Sequence, residues 1–323
     1  MSFWRFSVME LLAVAVSFSM AGYVTTDTFG EGANQFSVDF VSISGDASSA
    51  NGTVISQPDY DPGDDGYKTF TDPGTEYRIG QYEISYDQWS KFINEDGTPY
   101  GTPTNAYGND SDTTGSQPVN KISWLEAAQF VNYLNTSKGY QAAYNFTGDK
   151  GTDNYAISTW TQAEAAGGTN LYRHKDAHYF LPTEDEWVKA AYWNGSGLQT
   201  YATPDGTKPE ISVDSNYDKP NVGALWLVDD GSIELNDTYN MMGNVFEWVE
   251  SSFKGDYLAD SKRALRGNAY QYPEVWLELT QRHNATIDIE DTTFGFRVAS
   301  VPEPCSIMLF SLGGLLVRRK IAG

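Results

Sequence analysis

The stretch YNMMGNVFEWVE, residues Tyr239–Glu250, carries the strongest structural signal in the chain. It places Gly243 and Asn244 directly before an aromatic segment that contains Phe246 and Trp248. Glycine adopts backbone angles that other residues avoid, so it suits a tight turn whose carbonyl oxygens point outward. The pattern therefore predicts a turn that leads into a buried strand.

Four oxygen atoms of this stretch could converge on one metal ion. They come from the amide of Asn240, the carbonyl groups of Gly243 and Val245, and the carboxylate of Glu247. Hard oxygen ligands without Cys or His suit Ca²⁺ better than zinc or copper. The alternative is a purely structural turn in which Glu247 is solvated.

The composition is that of an acidic globular protein. The 323 residues are 40% hydrophobic and 14% aromatic, which suffices for a sizeable core and argues against disorder. Lys and Arg total 21 against 43 Asp and Glu, so the formal net charge is −22. A field of this sign repels phosphate backbones, which makes nucleic acid an unsuitable partner. The sequence has one cysteine, Cys305, so it can form neither an internal disulfide nor a metal site built on a cysteine pair.

Both ends carry apolar runs that are shorter than the ~20 residues a membrane-spanning helix needs. Residues 1–21 combine Arg5, an apolar run and Ala21, which predicts a secretory signal peptide cleaved after Ala21, with a short anchor as the alternative. At the other end, the apolar residues 305–317 precede a basic cluster. This layout predicts transient membrane contact with the basic end on the cytoplasmic side, and the alternative is a tail that packs on the domain. The basic cluster is Arg318, Arg319 and Lys320.

Three helices are predicted to begin with the same signal, a capping box. In each, a Ser or Thr is followed three residues later by Glu or Gln, and the two residues satisfy each other's backbone N–H groups. The pairs are Ser85–Gln88, Ser123–Glu126 and Thr183–Glu186. Apolar residues follow at helical spacing, which predicts that one face of each helix belongs to the core. These residues are Trp89, Phe92 and Ile93; Trp124, Ala127, Ala128, Val131 and Leu134; and Trp187, Ala190 and Ala191.

Long connections rich in Gly, Asn and Thr separate these elements. In the N-terminal segment, alternation in Phe36–Ile43 predicts a strand. The acidic run Asp59–Asp65 is expected to be a solvated loop, with a weak cation site as the alternative, because its spacing does not fit an EF-hand. Thr136–Tyr179 and Asn194–Asp237 are expected to be irregular, and such loops often carry binding functions.

Six blocks of the chain resemble, in the same order, the motifs of the formylglycine-generating enzyme (sulfatase-modifying factor) family. GNVFEW resembles the GN-x-WEW signature of that family. The other blocks are Tyr77–Asn94, Pro118–Asn135, Leu181–Trp193, Ala264–Asn268 and Phe294–Ser300. The resemblance implies a loop-rich α+β fold related to C-type lectins, with few short helices and small antiparallel sheets.

The same resemblance implies two calcium sites. The first matches the four positions at the central turn, Asn240, Gly243, Val245 and Glu247. Asn216 and Tyr217 match the first half of the second calcium site, but the acidic ligand of that site has no clear match in this sequence.

The C-terminal segment resembles a second known pattern, the PEP-CTERM sorting signal. The segment reads Val301-Pro302-Glu303-Pro304, followed by the apolar run and the basic cluster. The resemblance implies processing by an exosortase and delivery to the cell surface, outer envelope or extracellular matrix of a bacterium. The predicted organisation is therefore a signal peptide (1–21), a strand and loop segment (22–74), the enzyme-like domain (75–300) and a sorting or anchor segment (301–323).

The resemblance also locates a missing feature. Family members that make formylglycine hold copper with two cysteines between the RGG-like block and the GFR block. Here that interval, Asn268–Thr293, contains no cysteine and carries Tyr270, Tyr272 and Trp276 instead. Because copper(I) needs soft thiolate ligands, copper and the associated oxidation are not expected.

A related branch of the family uses non-haem iron held by histidines. This chain has three histidines. His174 and His178 are expected to lie in a surface loop rather than bind metal. Arg282, which precedes His283, is expected to form an internal ion pair or to donate hydrogen bonds to a loop rather than to act in catalysis.

Two functions remain open at this stage. The preferred one is a calcium-stabilised, non-catalytic protein that uses residues such as Tyr270–Trp276 to stack on the sugar rings of an exopolysaccharide. The alternative is an oxidoreductase of the same family with non-haem iron or another non-thiol chemistry.

Overall fold

The computed structural model describes residues 24–108, 111–218 and 224–302. The signal peptide, the apolar run and the basic cluster lie outside the described residues, so their predictions stay untested. Within the described residues, no helix combines the length and apolar character needed to cross a membrane.

Three α-helices occur in the described residues, and each begins where its capping box predicts. In the second box, the Glu126 carboxylate accepts from the Ser123 backbone N–H at 2.9 Å, and the Ser123 hydroxyl accepts from the Glu126 N–H at 3.1 Å. The boxes at Ser85 and Thr183 are formed in the same way. The helices are α1 Tyr86–Asp96, α2 Trp124–Thr136 and α3 Glu184–Tyr192.

The described strands are short, and most of them pair antiparallel. They are β1 Thr25–Phe29, β2 Phe36–Ile43, β3 Tyr77–Gly80, β4 Asn145–Thr147, β5 Ala156–Ser158, β6 Ala165–Ala166, β7 Asn170–His174, β8 Tyr179–Phe180, β9 Phe246–Ser252, β10 Arg263–Arg266, β11 His283–Ala285, β12 Phe294–Gly295 and β13 Ala299–Ser300. This architecture confirms the predicted loop-rich α+β class, and the strand predicted at residues 36–43 is confirmed as β2.

Two sheets organise the strands. The first has the order β1-β2-β3-β13-β8 and the second the order β11-β10-β9-β12, with β12 parallel to β9 and the other neighbours antiparallel. Strands β12 and β13 belong to different sheets although they are separated by a few residues. The chain therefore crosses from one sheet to the other within the block FGFRVAS, which holds Arg297 at the crossing.

The predicted irregular segment Thr136–Tyr179 is more regular than expected. It contains two two-stranded ladders, β4 with β5 and β6 with β7. The turn between β6 and β7 contains Gly167 and Gly168, both in the left-handed conformation that glycine adopts easily. The strands of these ladders are too short to give a long apolar pattern in the sequence. By contrast, the N-terminal segment contributes β1 and β2 to the same sheet as β3 of the following domain.

Two buried apolar clusters flank β9. Phe246 and Trp248 point into the cluster that contains the apolar faces of α1 and α2, and Val249 points into the one that packs on α3. The predicted core faces of the three helices are confirmed, with Ile93 partly buried at the edge of the first cluster. Strand β9 is thus buried on both faces, because one apolar cluster packs against each face.

Candidate functional site

The central turn is held by backbone contacts that need its particular residues. Gly243 has a φ of +92°, and a Cβ at this position would lie 2.4 Å from the carbonyl oxygen of Asn216. Asn244 also has a positive φ, 61°, which asparagine tolerates better than most residues. Its side chain donates to Glu83 at 2.7 Å and accepts from the backbone N–H of Trp226 at 2.9 Å. The Gly-Asn pair is therefore required by geometry.

Glu247 is buried and engaged by two partners. Its Oε2 accepts from the indole N–H of Trp187 at 2.7 Å and from Nε of Arg297 at 2.6 Å, while its Oε1 accepts from Nη2 of Arg297 at 2.6 Å. Both side chains of the Glu247–Arg297 pair have 0% exposure. Such a bidentate pair in a dry environment is strong, and breaking it leaves a buried charge without compensation.

Arg297 joins the two sheets through this contact. Besides Glu247 on β9, its guanidinium donates to the backbone carbonyl groups of Gly80, Gln81 and Tyr239, at 3.0, 3.3 and 2.8 Å. The two contacts at Gly80 and Gln81 lie at the end of β3 in the first sheet. One side chain therefore ties the central turn, β9 and β3 together.

Two further carboxylates lie buried around the turn, and the sequence analysis missed both. Glu83 accepts from the Val245 N–H at 3.3 Å as well as from Asn244, and Glu234 accepts from the N–H groups of Met241 and Met242 at 2.6 and 3.2 Å. Burial raises the pKa of Glu83 well above its ordinary value, and burial raises the pKa of Glu234 to about 8. The available signal was weak, since each is a single acidic residue in a stretch without a metal or catalytic motif.

The structure brings the predicted calcium positions into one turn without testing calcium itself. Asn240, Gly243, Val245 and Glu247 are all buried, and the Asn240 amide nitrogen donates to the carbonyl group of Val228 at 3.1 Å. The Glu247 carboxylate is not solvated, which corrects the structural alternative considered above, because it pairs with Arg297. A calcium ion at this turn would have to share Glu247 with that arginine.

The positions of the second predicted site are also buried. Asn216 donates from Nδ2 to Asn244 Oδ1 at 3.1 Å, and its own Oδ1 is buried and accepts no hydrogen bond within the described structure. Tyr217 is 3% exposed and donates to the carbonyl group of Pro209 at 2.9 Å. A buried amide oxygen without a donor is the type of ligand that calcium accepts, so the orphaned Oδ1 fits the predicted chemistry.

The interval in which the family places its thiols contains a stack of rings. Trp276 lies nearly parallel to Tyr272, with centroids 4.5 Å apart and planes at 10°, and to His283, at 4.3 Å and 28°. Phe246, the first residue of β9, contacts all three rings. Tyr272 and His283 therefore each cover part of the Trp276 ring system, which stays partly exposed. The prediction that residues such as Tyr270–Trp276 stack on sugar rings stays a prediction, although the contacts with Tyr272 and His283 take up part of the Trp276 surface.

The histidines do not form a shared metal site in the described part of the chain, where no cluster of three or more His, Cys, Asp or Glu residues is arranged to hold a metal. His174 lies at the end of β7 and packs edge-on against Trp160, and His178 stacks on Tyr140 at 4.6 Å. Both are buried, at 9% and 7% exposure, so the predicted surface loop is wrong. Their positions follow from the strands on either side of the turn between them.

The predicted ion pair of Arg282 is confirmed. Its Nε donates to Oε1 of Glu184 at 2.7 Å, and Arg266 forms an ion pair with the same oxygen, also at 2.7 Å. A comparable network joins Arg173 to Glu186 and Glu250. Burial lowers the pKa of the neighbouring His283 to about 4, so this imidazole is neutral in the ring stack.

These features define a class of protein before any comparison: a loop-rich α+β domain whose two sheets meet at a buried arginine beside a Gly-Asn turn. The chain belongs to the family described by the sulfatase-modifying factor enzyme 1-like domain, whose model matches residues 71–301. A comparison with curated proteins gave no match.

Solved structures share the fold across most of the chain. Treponema denticola variable protein 1 is 21% identical, with a TM-score of 0.60, and the match covers 86% of this chain and 99% of that one. PvdO from Pseudomonas aeruginosa is 16% identical, with a TM-score of 0.56 and coverage of 85% and 98%. CarF is 21% identical, with a TM-score of 0.55 and coverage of 82% and 99%. At these identities the likeness shows the fold alone.

Proposed function

We propose that this chain is an exported, non-catalytic member of the family that binds a ligand at the bacterial surface. The observation that carries the proposal is the ring stack of Tyr272, Trp276 and His283, which lies where the family resemblance expects the copper-binding thiols. Three close-packed rings leave no soft donor for copper(I) in this interval. The only cysteine of the sequence, Cys305, is a single residue outside the interval.

Calcium is proposed as a structural ion at the central turn. The chemistry of the donor set supports it in two ways. Three buried carboxyl groups, Glu83, Glu234 and Glu247, lie around one guanidinium, Arg297. Burial favours the neutral forms of Glu83 and Glu234, and a bound cation would stabilise their ionised forms instead. In addition, the orphaned amide oxygen of Asn216 gives the second site a ready ligand.

The proposed ligand is an extracellular polysaccharide, and the proposed location follows from the two ends of the chain. The signal peptide and the PEP-CTERM-like segment would deliver the protein through an exosortase-type enzyme to the cell surface or matrix. An acidic protein of net charge −22 suits a neutral partner there better than an anionic one. The tail would contact the membrane transiently during this processing.

Metal analysis of the purified full chain tests this proposal. The protein should contain calcium and sub-stoichiometric copper and iron, even after incubation with Cu⁺ or Fe²⁺ and removal of the excess. Stoichiometric iron or copper together with oxygen consumption would contradict the proposal and favour the oxidoreductase alternative.

A further inference from the structure

A cleft of about 370 Å³ lies at the far end of β9 from the ring stack. The stack contacts Phe246, the first residue of β9, whereas the cleft is bounded by its last residues and the loop that follows. The start of α3 and a loop from the N-terminal segment form the other walls. The residues that line the cleft include Lys68, Asn170, Tyr172, Asp185, Asp256 and Tyr257. The cleft volume lies within the usual range for small-molecule sites, about 300–1,000 Å³.

Most charged groups in the wall are already paired. Lys68 binds Asp185 at 2.7 Å, with side-chain exposures of 26% and 21%. Glu184 is held by two arginines, and Glu250 by Arg173. A wall of compensated charges has little to gain from a free phosphate or a metal ion, because each would compete with an existing ion pair.

The cleft also presents an exposed aromatic ring on a fixed support. Tyr257 is 40% exposed and packs on Tyr172, with centroids 5.1 Å apart. The Tyr172 hydroxyl donates to the backbone carbonyl groups of Asp256 and Leu258, at 3.1 and 2.9 Å, and the guanidinium of Arg263 lies 3.8 Å below the Tyr172 ring. The loop that carries Tyr257 is thereby fixed before a ligand arrives, which lowers the entropic cost of binding.

Planar polar groups line the cleft together with this ring. The carboxylates of Asp185 and Asp256 and the amide of Asn170 line the same cleft. These groups already have partners within the protein: the Asn170 amide donates to Glu250 and accepts from the Tyr172 N–H, and Asp185 accepts from Lys68. A carboxylate oxygen has a second lone pair and an amide nitrogen a second hydrogen, so each can form a further hydrogen bond to a ligand hydroxyl. Glu184 also lines the cleft, and its buried Oε2 accepts no hydrogen bond from the residues described. Because this oxygen is buried, a water held beneath the ligand, rather than the ligand itself, would satisfy it.

We infer that the cleft binds a neutral sugar unit of a polysaccharide, with its apolar face on Tyr257 and its hydroxyl groups on the surrounding carboxylates. An uncharged, hydroxyl-rich ring matches both the compensated charges and the single exposed aromatic platform. The inference rests on the proposed function for its ligand class, and it places the binding site at the opposite end of β9 from Tyr272 and Trp276.

The test uses the full chain and neutral oligosaccharides of three to six hexose units from glucose, galactose and mannose series. Binding is measured by calorimetry and by saturation-transfer NMR. We expect at least one series to bind, and Tyr257→Ala to weaken that binding by about tenfold or more. Asp185→Asn should weaken it as well. Leu258→Ala is the matched control, because Leu258 is 62% exposed on the same loop but does not line the cleft.

The possible outcomes separate the site from the function. Equal affinities of wild type and Tyr257→Ala, with binding lost in Tyr270→Ala, would overturn the cleft but keep a saccharide-binding protein. No binding by the wild type to any series would overturn the inference, while the metal analysis above decides the non-catalytic function independently. Tyr257 and Tyr270 are not fully buried, so their alanine variants are expected to fold. Melting curves that match the wild type check this for each variant.

Discussion

Four buried arginines each form an ion pair with a glutamate elsewhere in the sequence, and two of them share Glu184. They are Arg173, Arg266, Arg282 and Arg297. All four contacts end on α3 or β9, because Glu184 and Glu186 lie on α3 and Glu247 lies on β9. In a fold with so little regular structure, such pairs fix the loops that hydrogen-bonded sheets do not reach. Their geometry is demanding, because a buried charge that loses its partner is costly.

Glu184 gives the clearest pH dependence among these pairs. Burial alone would raise the pKa of Glu184, but Arg282 and Arg266 lower it to about 2. Because the folded pKa lies below the unfolded value, the contribution to stability is present above about pH 4.5 and is lost as the pH falls toward 2. We expect Glu184→Gln to cost about 3 kcal/mol at neutral pH and to flatten this acid slope, as measured by urea unfolding from pH 7 to pH 3. An unchanged slope would show that the pair does not stabilise the folded state.

A substitution at Glu247 tests both the stability of the central turn and the calcium ion proposed there. Glu247→Gln removes the charge opposite Arg297 and should cost about 3–5 kcal/mol of unfolding free energy. If calcium binds this turn, EDTA should lower the melting temperature of the wild type, by the equivalent of about 2.7 kcal/mol at a hundredfold calcium excess over Kd. The variant should lose most of that EDTA sensitivity.

Glu250→Gln is the matched control for this experiment. Glu250 lies on the same strand and pairs with Arg173 at 3.0 Å, so the substitution breaks a similar buried pair away from the turn. It should destabilise the protein while keeping the EDTA effect. A wild-type melting curve that is identical with and without EDTA would contradict calcium at the turn.

At the scale of elements, the N-cap residue of α2, Ser123, forms a contact beyond its capping box. Ser123 is fully buried, caps α2 and also donates its hydroxyl to the carbonyl group of Ala106 at 2.7 Å. Ser123→Ala should therefore cost about 1–2 kcal/mol, near the upper end for an N-cap, as measured by chemical denaturation. Ser137→Ala, at the exposed far end of α2, should change stability by less than about 0.5 kcal/mol. Equal effects of the two substitutions would show that the cap contributes nothing special.

Elements with local signals could be predicted from the sequence, and those that depend on distant contacts could not. The three capping boxes and β2 follow from spacing within a few residues, and the structure confirms them. The Glu247–Arg297 pair joins residues 50 positions apart, and Glu83 meets Asn244 across 161 positions. No local sequence pattern predicts such long-range contacts. The family resemblance placed the turn, but the sequence did not predict which charges would be buried around it.

The same reason explains the errors around the candidate site. His174 and His178 are polar and lie near a turn, which favours a surface loop, yet β7 and β8 carry them into the interior. Trp276 is expected in a loop, yet it lies in a short 3-10 helix, Glu274–Leu277, and its ring stacks on Tyr272 and His283. Residue type indicates what a side chain could do, but the fold determines whether a ligand can reach it.

At the scale of the whole molecule, the last described strand ends where the proposed sorting segment, residues 301–323, begins. Strand β13 ends at Ser300, and Val301 donates its N–H to the carbonyl group of His178 at 2.9 Å. We expect a chain truncated after Pro302 to keep the melting temperature and near-ultraviolet circular dichroism of the full chain, and to be released into the medium rather than retained at the surface. Cell fractionation measures the second effect. Aggregation or unfolding of the truncated chain would contradict the sorting-segment interpretation, because the tail would then belong to the core.

The most direct measurement of the central claim is oxygen consumption by the full chain with a cysteine-containing peptide, after loading with copper and, separately, with iron(II). The ring stack replaces the thiol pair in the interval Asn268–Thr293, so we predict no oxygen uptake above that of the free metal and no conversion of the peptide cysteine to an aldehyde by mass spectrometry. Enzyme-dependent oxygen uptake that is coupled to oxidation of the peptide would contradict the account and establish the chain as a catalyst.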